Sequence, residues 1–171
     1  MSKSIEELLL KLKKHDDGKK HILITGGIKT RKTTLLRSYI DRYYSDEKID
    51  GLITELINDE IRLKRYDSDY INGIWRDYLI VGKRMDKMEF NHRLFDEFSR
   101  AIYNDIKSDI IVLDEIGKYE MQIDGYIDRL IDLFQKNRVF SVVKKKKNPI
   151  TKRLCEIGDY IIFDIDVESR L

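Results

Sequence analysis

One stretch of fourteen residues, His21 to Thr34 (HILITGGIKTRKTT), constrains the fold of this chain more than any other. An apolar run rich in β-branched side chains, Ile22 to Thr25, gives way to Gly26 and Gly27, and a Lys-Thr-Thr then opens a helical pattern. β-Branched residues favour extended backbone, and adjacent glycines let the chain turn sharply. Beyond them Leu35, Leu36, Tyr39, Ile40 and Tyr43 recur with helical period. The sequence therefore predicts strand, turn and helix in direct succession, with the helix N-terminus at the turn.

Measured against the phosphate-binding pattern G-x-x-x-x-G-K-[ST], Gly26, Lys32 and Thr33 fall on the first glycine, the lysine and the hydroxyl residue. Arg31 stands where the second glycine belongs. The chemistry needs backbone N–H groups turned around a phosphate and the positive end of a helix beneath it. It also needs an ammonium for the β/γ oxygens and a hydroxyl for Mg²⁺. Gly26, Gly27, Ile28, Lys29, Thr30, Arg31, Lys32, Thr33 and Thr34 are accordingly the candidate nucleotide-binding residues, with Thr33 a candidate for the metal. Taken alone, so degenerate a match suits an ordinary strand-to-helix connection equally well.

At 171 residues the chain fits one domain with a core of its own, residues 1–171, in which 1–20 form an N-terminal helix and linker. Its 33 basic and 31 acidic residues leave a net charge of +2, which argues against a nucleic-acid binder driven by net charge. One cysteine, Cys155, excludes an internal disulfide framework and a cysteine-based zinc site. The N-terminus MSKSIEELLLKLKK has no signal-peptide pattern, and no run approaches the roughly 18 apolar residues of a membrane span. A soluble, cytoplasmic protein is expected; protein partners are not readable from the sequence.

Along the chain, Ser4 with Glu7 reads as a capping box, and Ile5, Leu8, Leu9 and Leu12 line one face of a first helix. IDGLITELI and IRLKRYD, joined at Asn58-Asp59, read as a β-hairpin, and Asp77 to Gly82 as a further strand after Ile71 to Trp75. Helical period marks Phe90 to Lys107 and Ile123 to Gln135; Val139 to Val143 and Tyr160 to Ile165 read as strands. The alternation predicts an α/β three-layer sandwich with a mostly parallel central sheet and the hairpin inserted or at an edge.

Ile110 to Leu113 is a wholly apolar run of the kind buried on both faces of a parallel sheet, and it ends in Asp114-Glu115. An aspartate at the end of such a strand lies where ligands of open α/β folds bind and can serve Mg²⁺ with the loop hydroxyl. A glutamate beside it can polarise water, which makes Glu115 and Lys32 the candidate catalytic residues. Two half-sites in this order favour nucleotide binding over a chance loop.

Together, ITGGIKTRKTT, GLITELI with its hairpin, YLIVGKRM before a long helix, and IIVLDEIGKYEM resemble the P-loop nucleoside-triphosphatase family first described from thermophiles. The likeness runs from about His21 to Asp164, and LDEIGKYE is its most specific piece. The resemblance implies a RecA-like sheet and hydrolysis of ATP, GTP and other nucleoside triphosphates with little base preference. It implies that Gly26 to Thr33 cradle phosphates, Lys32 binds the β/γ oxygens, Thr33 and Asp114 serve Mg²⁺, and Glu115 activates water. Lys118 matches a family lysine, and Arg31, in place of a family glycine, implies slow turnover.

Other residues take blander readings. Lys144 to Lys147 form a charge run at a strand end, where Lys144 is placed to sense a γ-phosphate but a solvated run is the simpler account. His15, His21 and His92 lack partners at metal-ligand spacing. Trp75 and Tyr78 are the nearest candidates for a nucleobase contact. Two other functions fit the same pattern: a small-molecule kinase of this fold, and a nucleotide-binding module without turnover.

Overall fold

The computed structural model describes residues 4–66, 78–116, 120–145, 152–154 and 156–170, and of Glu115 the backbone alone. Ile71 to Trp75, Lys118, Lys146, Lys147 and Cys155 lie outside the described residues.

The chain enters through α1 (Ile5–His15), whose capping box forms as the spacing predicts: the Ser4 side chain accepts from Glu7 N, and the Glu7 side chain accepts from Ser4 N. Leu8, Leu9 and Leu12 are buried. The strand, turn and helix of the opening motif follow as β1 (His21–Thr25), the loop, and α2 (Lys32–Tyr43). Next come β2 (Ile49–Ile57), β3 (Glu60–Tyr66), β4 (Leu79–Arg84), β5 (Met88–Phe90) and α3 (His92–Asp105). The chain ends with β6 (Ile110–Ile116), α4 (Tyr126–Lys136), β7 (Arg138–Val143), β8 (Tyr160–Asp164) and the short α5 (Ile165–Glu168).

Among the described residues eight strands form one sheet in the order β5-β4-β3-β2-β6-β7-β1-β8. The five strands from β2 to β8 pair in parallel, and β3, β4 and β5 extend the sheet antiparallel. Parallel strands buried on both faces favour apolar residues facing both ways, which β1 supplies at Ile22, Leu23 and Ile24. Ile22 and Ile24 pack on one face with α1 and α2, and Leu23 packs on the other with α3 and α4. The three-layer sandwich with a mostly parallel sheet is thus the observed architecture.

The hairpin of β2 and β3 opens the antiparallel edge of the sheet, which β4 and β5 continue outward. β2 is a nine-residue strand whose first five residues pair in parallel with β6, while Gly51 to Ile57 pair antiparallel with β3. Its turn residues, Asn58 (φ 49°) and Asp59 (φ 63°), both take the positive φ that a two-residue hairpin turn requires. At Gly51 (φ 152°) a Cβ would overlap the backbone of Val112, so glycine lets β2 lie against β6.

Two predicted helix starts move, and the strand drawn from Asp77 to Gly82 is observed over Leu79–Arg84. The helix drawn from Phe90 begins at His92, because Phe90 belongs to β5 and the Asn91 side chain caps the helix by accepting from Leu94 N at 3.0 Å. The helix drawn from Ile123 begins at Tyr126, after a 3₁₀ turn at Glu120–Gln122.

Candidate active site

Between β1 and α2 the loop folds onto itself. Gly26 has φ 151°, and a Cβ there would stand 2.8 Å from Thr30 Oγ1, so the first glycine of the pattern is required by both torsion and space. Thr30 Oγ1 donates to the Gly27 carbonyl at 2.9 Å. Lys32 Nζ, from the first turn of α2, donates to the Gly27 carbonyl at 2.6 Å and the Gly26 carbonyl at 3.4 Å. Ile28 is 91% exposed at the tip, and Thr34 is exposed beyond the helix start. Among the described residues no side chain caps α2, and the N-terminus of a helix is where backbone N–H groups can meet an anion.

Arg31 is the N-cap of α2 with φ 61° and ψ 28°, and Lys29 has the same φ. The loop therefore takes at this position a left-handed conformation that glycine adopts freely, imposed here on an arginine. Its exposed side chain has no hydrogen bond or ion pair among the described residues.

β7 lies between β1 and β6, and Asp114 is reached across it. The side chain of Asp114 is 2% exposed, and Thr33 Oγ1 donates to its Oδ1 at 3.1 Å. Two residues 81 positions apart are thus brought into contact. β6 pairs with β7 up to Leu113↔Ser141 and resumes at Ile116↔Val143, so that two residues of β6 stand against one of β7. That register shift falls on Asp114-Glu115, and such a bulge bends the end of the strand that carries Asp114. Ser141 Oγ, fully buried, donates to the Leu113 carbonyl at 2.7 Å just before the shift.

A hydroxyl and a buried carboxylate form a hard oxygen set that suits Mg²⁺ when phosphate and water complete the coordination. No cluster of three His, Cys, Asp or Glu exists among the described residues, so any metal here takes few protein ligands. His21 is structural: its Nδ1 accepts from Val139 N, and burial, with the Arg138 charge, pushes its pKa down.

Several residues at the site carried no signal in the sequence reading. Gly27 N donates to Asp166 Oδ2 at 2.9 Å, so α5 anchors the loop's first turn. Lys145 bridges Asp164 and Asp166, each at 2.9 Å, and Lys145 and Asp166 line, with Val167 and Arg170, a cleft of about 300 Å³. Arg37 hydrogen-bonds Glu55 and stands 4.0 Å from Asp114 Oδ2. Lys64 Nζ donates to the other oxygen of Glu55 at 2.8 Å. Burial alone would push the Glu55 carboxyl up, but hydrogen bonds from Lys64 and Arg37 outweigh it and hold the group below the usual carboxylate range.

Lys144 is exposed at the end of β7. Tyr78 lies under the Arg62 guanidinium, 4.4 Å from its ring centre. A larger concavity of about 650 Å³ on β4 and β5 shares no residue with the loop or Asp114.

Fold, loop and buried aspartate together define the P-loop NTPase class. The sequence profile of the NTPase family matches residues 21–171, and the chain belongs to that family. Its structure is similar to the crystal structure of THEP1 from the hyperthermophile Aquifex aeolicus, with a TM-score of 0.64 at 18% identity over 85% of this chain and 89% of that one. It is also similar to the solution structure of a human cancer-related nucleoside triphosphatase, with a TM-score of 0.63 at 15% identity over 85% and 88% of the two chains. No curated protein matches the sequence. Likeness at these identities is a likeness of fold. No described helix is long and apolar enough to cross a membrane.

Proposed function

We propose that the protein is a cytoplasmic, Mg²⁺-dependent nucleoside triphosphatase that converts ATP, GTP and related triphosphates to diphosphate and phosphate. The observation that carries this reading is the hydrogen bond from Thr33 to the buried Asp114, formed where α2 leaves a loop folded around Lys32. The family match and the nucleoside triphosphatase among its structural neighbours support it.

In the proposed reaction a water oxygen attacks the γ-phosphorus in line. The bond from that phosphorus to the β–γ bridging oxygen breaks, its electron pair leaves with the diphosphate, and a proton of the water is taken up at Glu115. Lys32 exchanges the Gly26 and Gly27 carbonyls for β/γ oxygens. The first N–H groups of α2 and the loop amides face the phosphates. Such donors are fixed before the reaction and stabilise charge as it develops. Thr33 and Asp114 would hold Mg²⁺, and the ion would supply positive charge against the charge that develops on the phosphates. Arg31, left-handed without being glycine, makes turnover slow.

The test is phosphate release from a panel of nucleoside triphosphates with and without Mg²⁺. Mg²⁺-dependent release from several triphosphates is expected. Release that requires an added acceptor would make the protein a small-molecule kinase instead, and tight triphosphate binding without release would make it a binding module.

A further inference from the structure

Asp114 and three charged groups beside it, Arg37, Glu55 and Lys64, alternate in sign between α2 and one face of the sheet. The register sets Asp114 of β6 and Lys64 of β3 both opposite Ile53 of β2, and Glu55 follows Ile53 by two residues. Side chains on a strand alternate with period two, so Asp114, Lys64 and Glu55 all lie on the face that carries Ile53. That face packs against α2, because Ile53 shares a core with Leu36 and Tyr39. Arg37 comes from α2 itself, four residues after Thr33, and helical spacing of four puts both on one side of the helix.

The contacts form a chain. Lys64 Nζ holds one oxygen of Glu55 at 2.8 Å, and Arg37 holds the other. The same Arg37 nitrogen stands 4.0 Å from Asp114 Oδ2, whose partner oxygen takes the Thr33 hydroxyl. Lys64 is only 7% exposed, so its ammonium is committed to a nearly buried position for which Glu55 is a partner. Arg37 is thus bonded to Glu55 and merely near Asp114. A cation arriving at Asp114 competes with a guanidinium that another carboxylate restrains.

We propose that Arg37 is a positioning residue that balances the charge of Asp114 and yields that carboxylate to a divalent cation, and that Glu55, shared between Arg37 and Lys64, sets the cation affinity by restraining Arg37. This rests on the reading of Thr33 and Asp114 as a Mg²⁺ site. A guanidinium released from Glu55 can move onto Asp114 and pair with both its oxygens. Removing the Glu55 charge also leaves the neighbourhood one unit more positive. Both effects weaken cation binding. Removing Lys64 has the opposite sign, since Glu55 then has Arg37 as its stronger claim and the neighbourhood becomes more negative.

The experiment is a Mn²⁺ titration followed by electron paramagnetic resonance, on each protein saturated with a non-hydrolysable triphosphate. Glu55→Gln should raise the Mn²⁺ dissociation constant roughly tenfold, the scale of one unit charge a few ångströms away in a partly buried site. Adding Arg37→Ala to Glu55→Gln should bring it back to within about threefold of the parent, because the competitor is gone. Lys64→Met should lower it by about threefold, and this variant carries the test if Glu55→Gln does not fold. A Glu55→Gln protein that binds Mn²⁺ like the parent, a double variant as weak as the single one, or weaker binding in Lys64→Met overturns the inference and leaves the proposed function standing. A parent that binds no triphosphate at all overturns the proposed function and this inference with it.

Discussion

Replacing Arg31 with glycine separates two opposed effects at the one position where the phosphate loop departs from its pattern. Arg31 sits at φ 61° and ψ 28°, where a side chain crowds its own carbonyl, and this costs roughly 1–2 kcal/mol. Glycine removes the strain but loses about 0.4–1 kcal/mol through its freer unfolded chain. The difference leaves Arg31→Gly more stable by about 1 kcal/mol, a rise in Tm of roughly 2–4 °C for a chain of this length. The exposed guanidinium makes no ion pair among the described residues, so its loss removes at most about 1 kcal/mol of attraction for phosphate. Without a Cβ the loop amides can close on the phosphates, and turnover should rise several-fold with little change in affinity. Calorimetric melting tests the strain, and phosphate release at saturating nucleotide tests the chemistry. An unchanged or lower Tm refutes the strain argument. A fall in turnover to the level of Lys32→Ala would show instead that Arg31 is a catalytic group supplied in cis.

Lys32→Ala should lower triphosphate affinity by about 1–3 kcal/mol for every base alike, the scale of charged hydrogen bonds, and titration calorimetry with ATP and GTP reads this directly. Glu115→Gln should keep nucleotide binding while hydrolysis falls by roughly a hundredfold, and unchanged turnover would move the base elsewhere. Acid should expose Asp16. Burial pushes its carboxyl up, but hydrogen bonds from Tyr39, Tyr44 and Gly18 and the Arg138 charge prevail and hold it below its ordinary value. With the folded pKa below the unfolded one, its contribution is complete above about pH 4 and is lost as pH falls through the folded value. Asp16→Asn should flatten the acid limb of stability measured by urea unfolding between about pH 6 and 2; an unaltered slope would refute the assignment.

What could be read from the sequence follows the range of the interactions. The capping box at Ser4, the strand and turn before α2, and the hairpin turn at Asn58-Asp59 are all set by residues within four positions of each other. The three residues of β5 have no period of their own. They are a strand because Gly82, Lys83 and Arg84 pair with them, and Phe90 sits at helical spacing from Leu94 and Phe98, which hid the boundary. The Asn91 cap was legible and would have placed it. Asp166 contacts Gly27 across 139 positions, and Glu55 meets Arg37 across 18 and Lys64 across 9. Neither partner set is marked by spacing; each depends on strand order and register. Arg37, four residues after Thr33 on a helix already predicted, was the nearest to legible.

Strand order also explains why the two halves of the site need α2 to meet. β1 and β6 are separated by β7, and two strand spacings amount to about 10 Å, farther than a threonine hydroxyl can reach from the end of β1. The loop turns the chain over β7, α2 packs on that strand, and its first turn delivers Thr33 to Asp114. β7 must then be held close to β6 at the level of the site. Ser141 does this from within the core, its hydroxyl bound to the Leu113 carbonyl one residue before the register shift that carries Asp114. A buried serine among Phe140, Val142 and Val143 is thus part of the site's construction, because an apolar residue there would leave the hydroxyl's bond to the Leu113 carbonyl unmade beside the bulge.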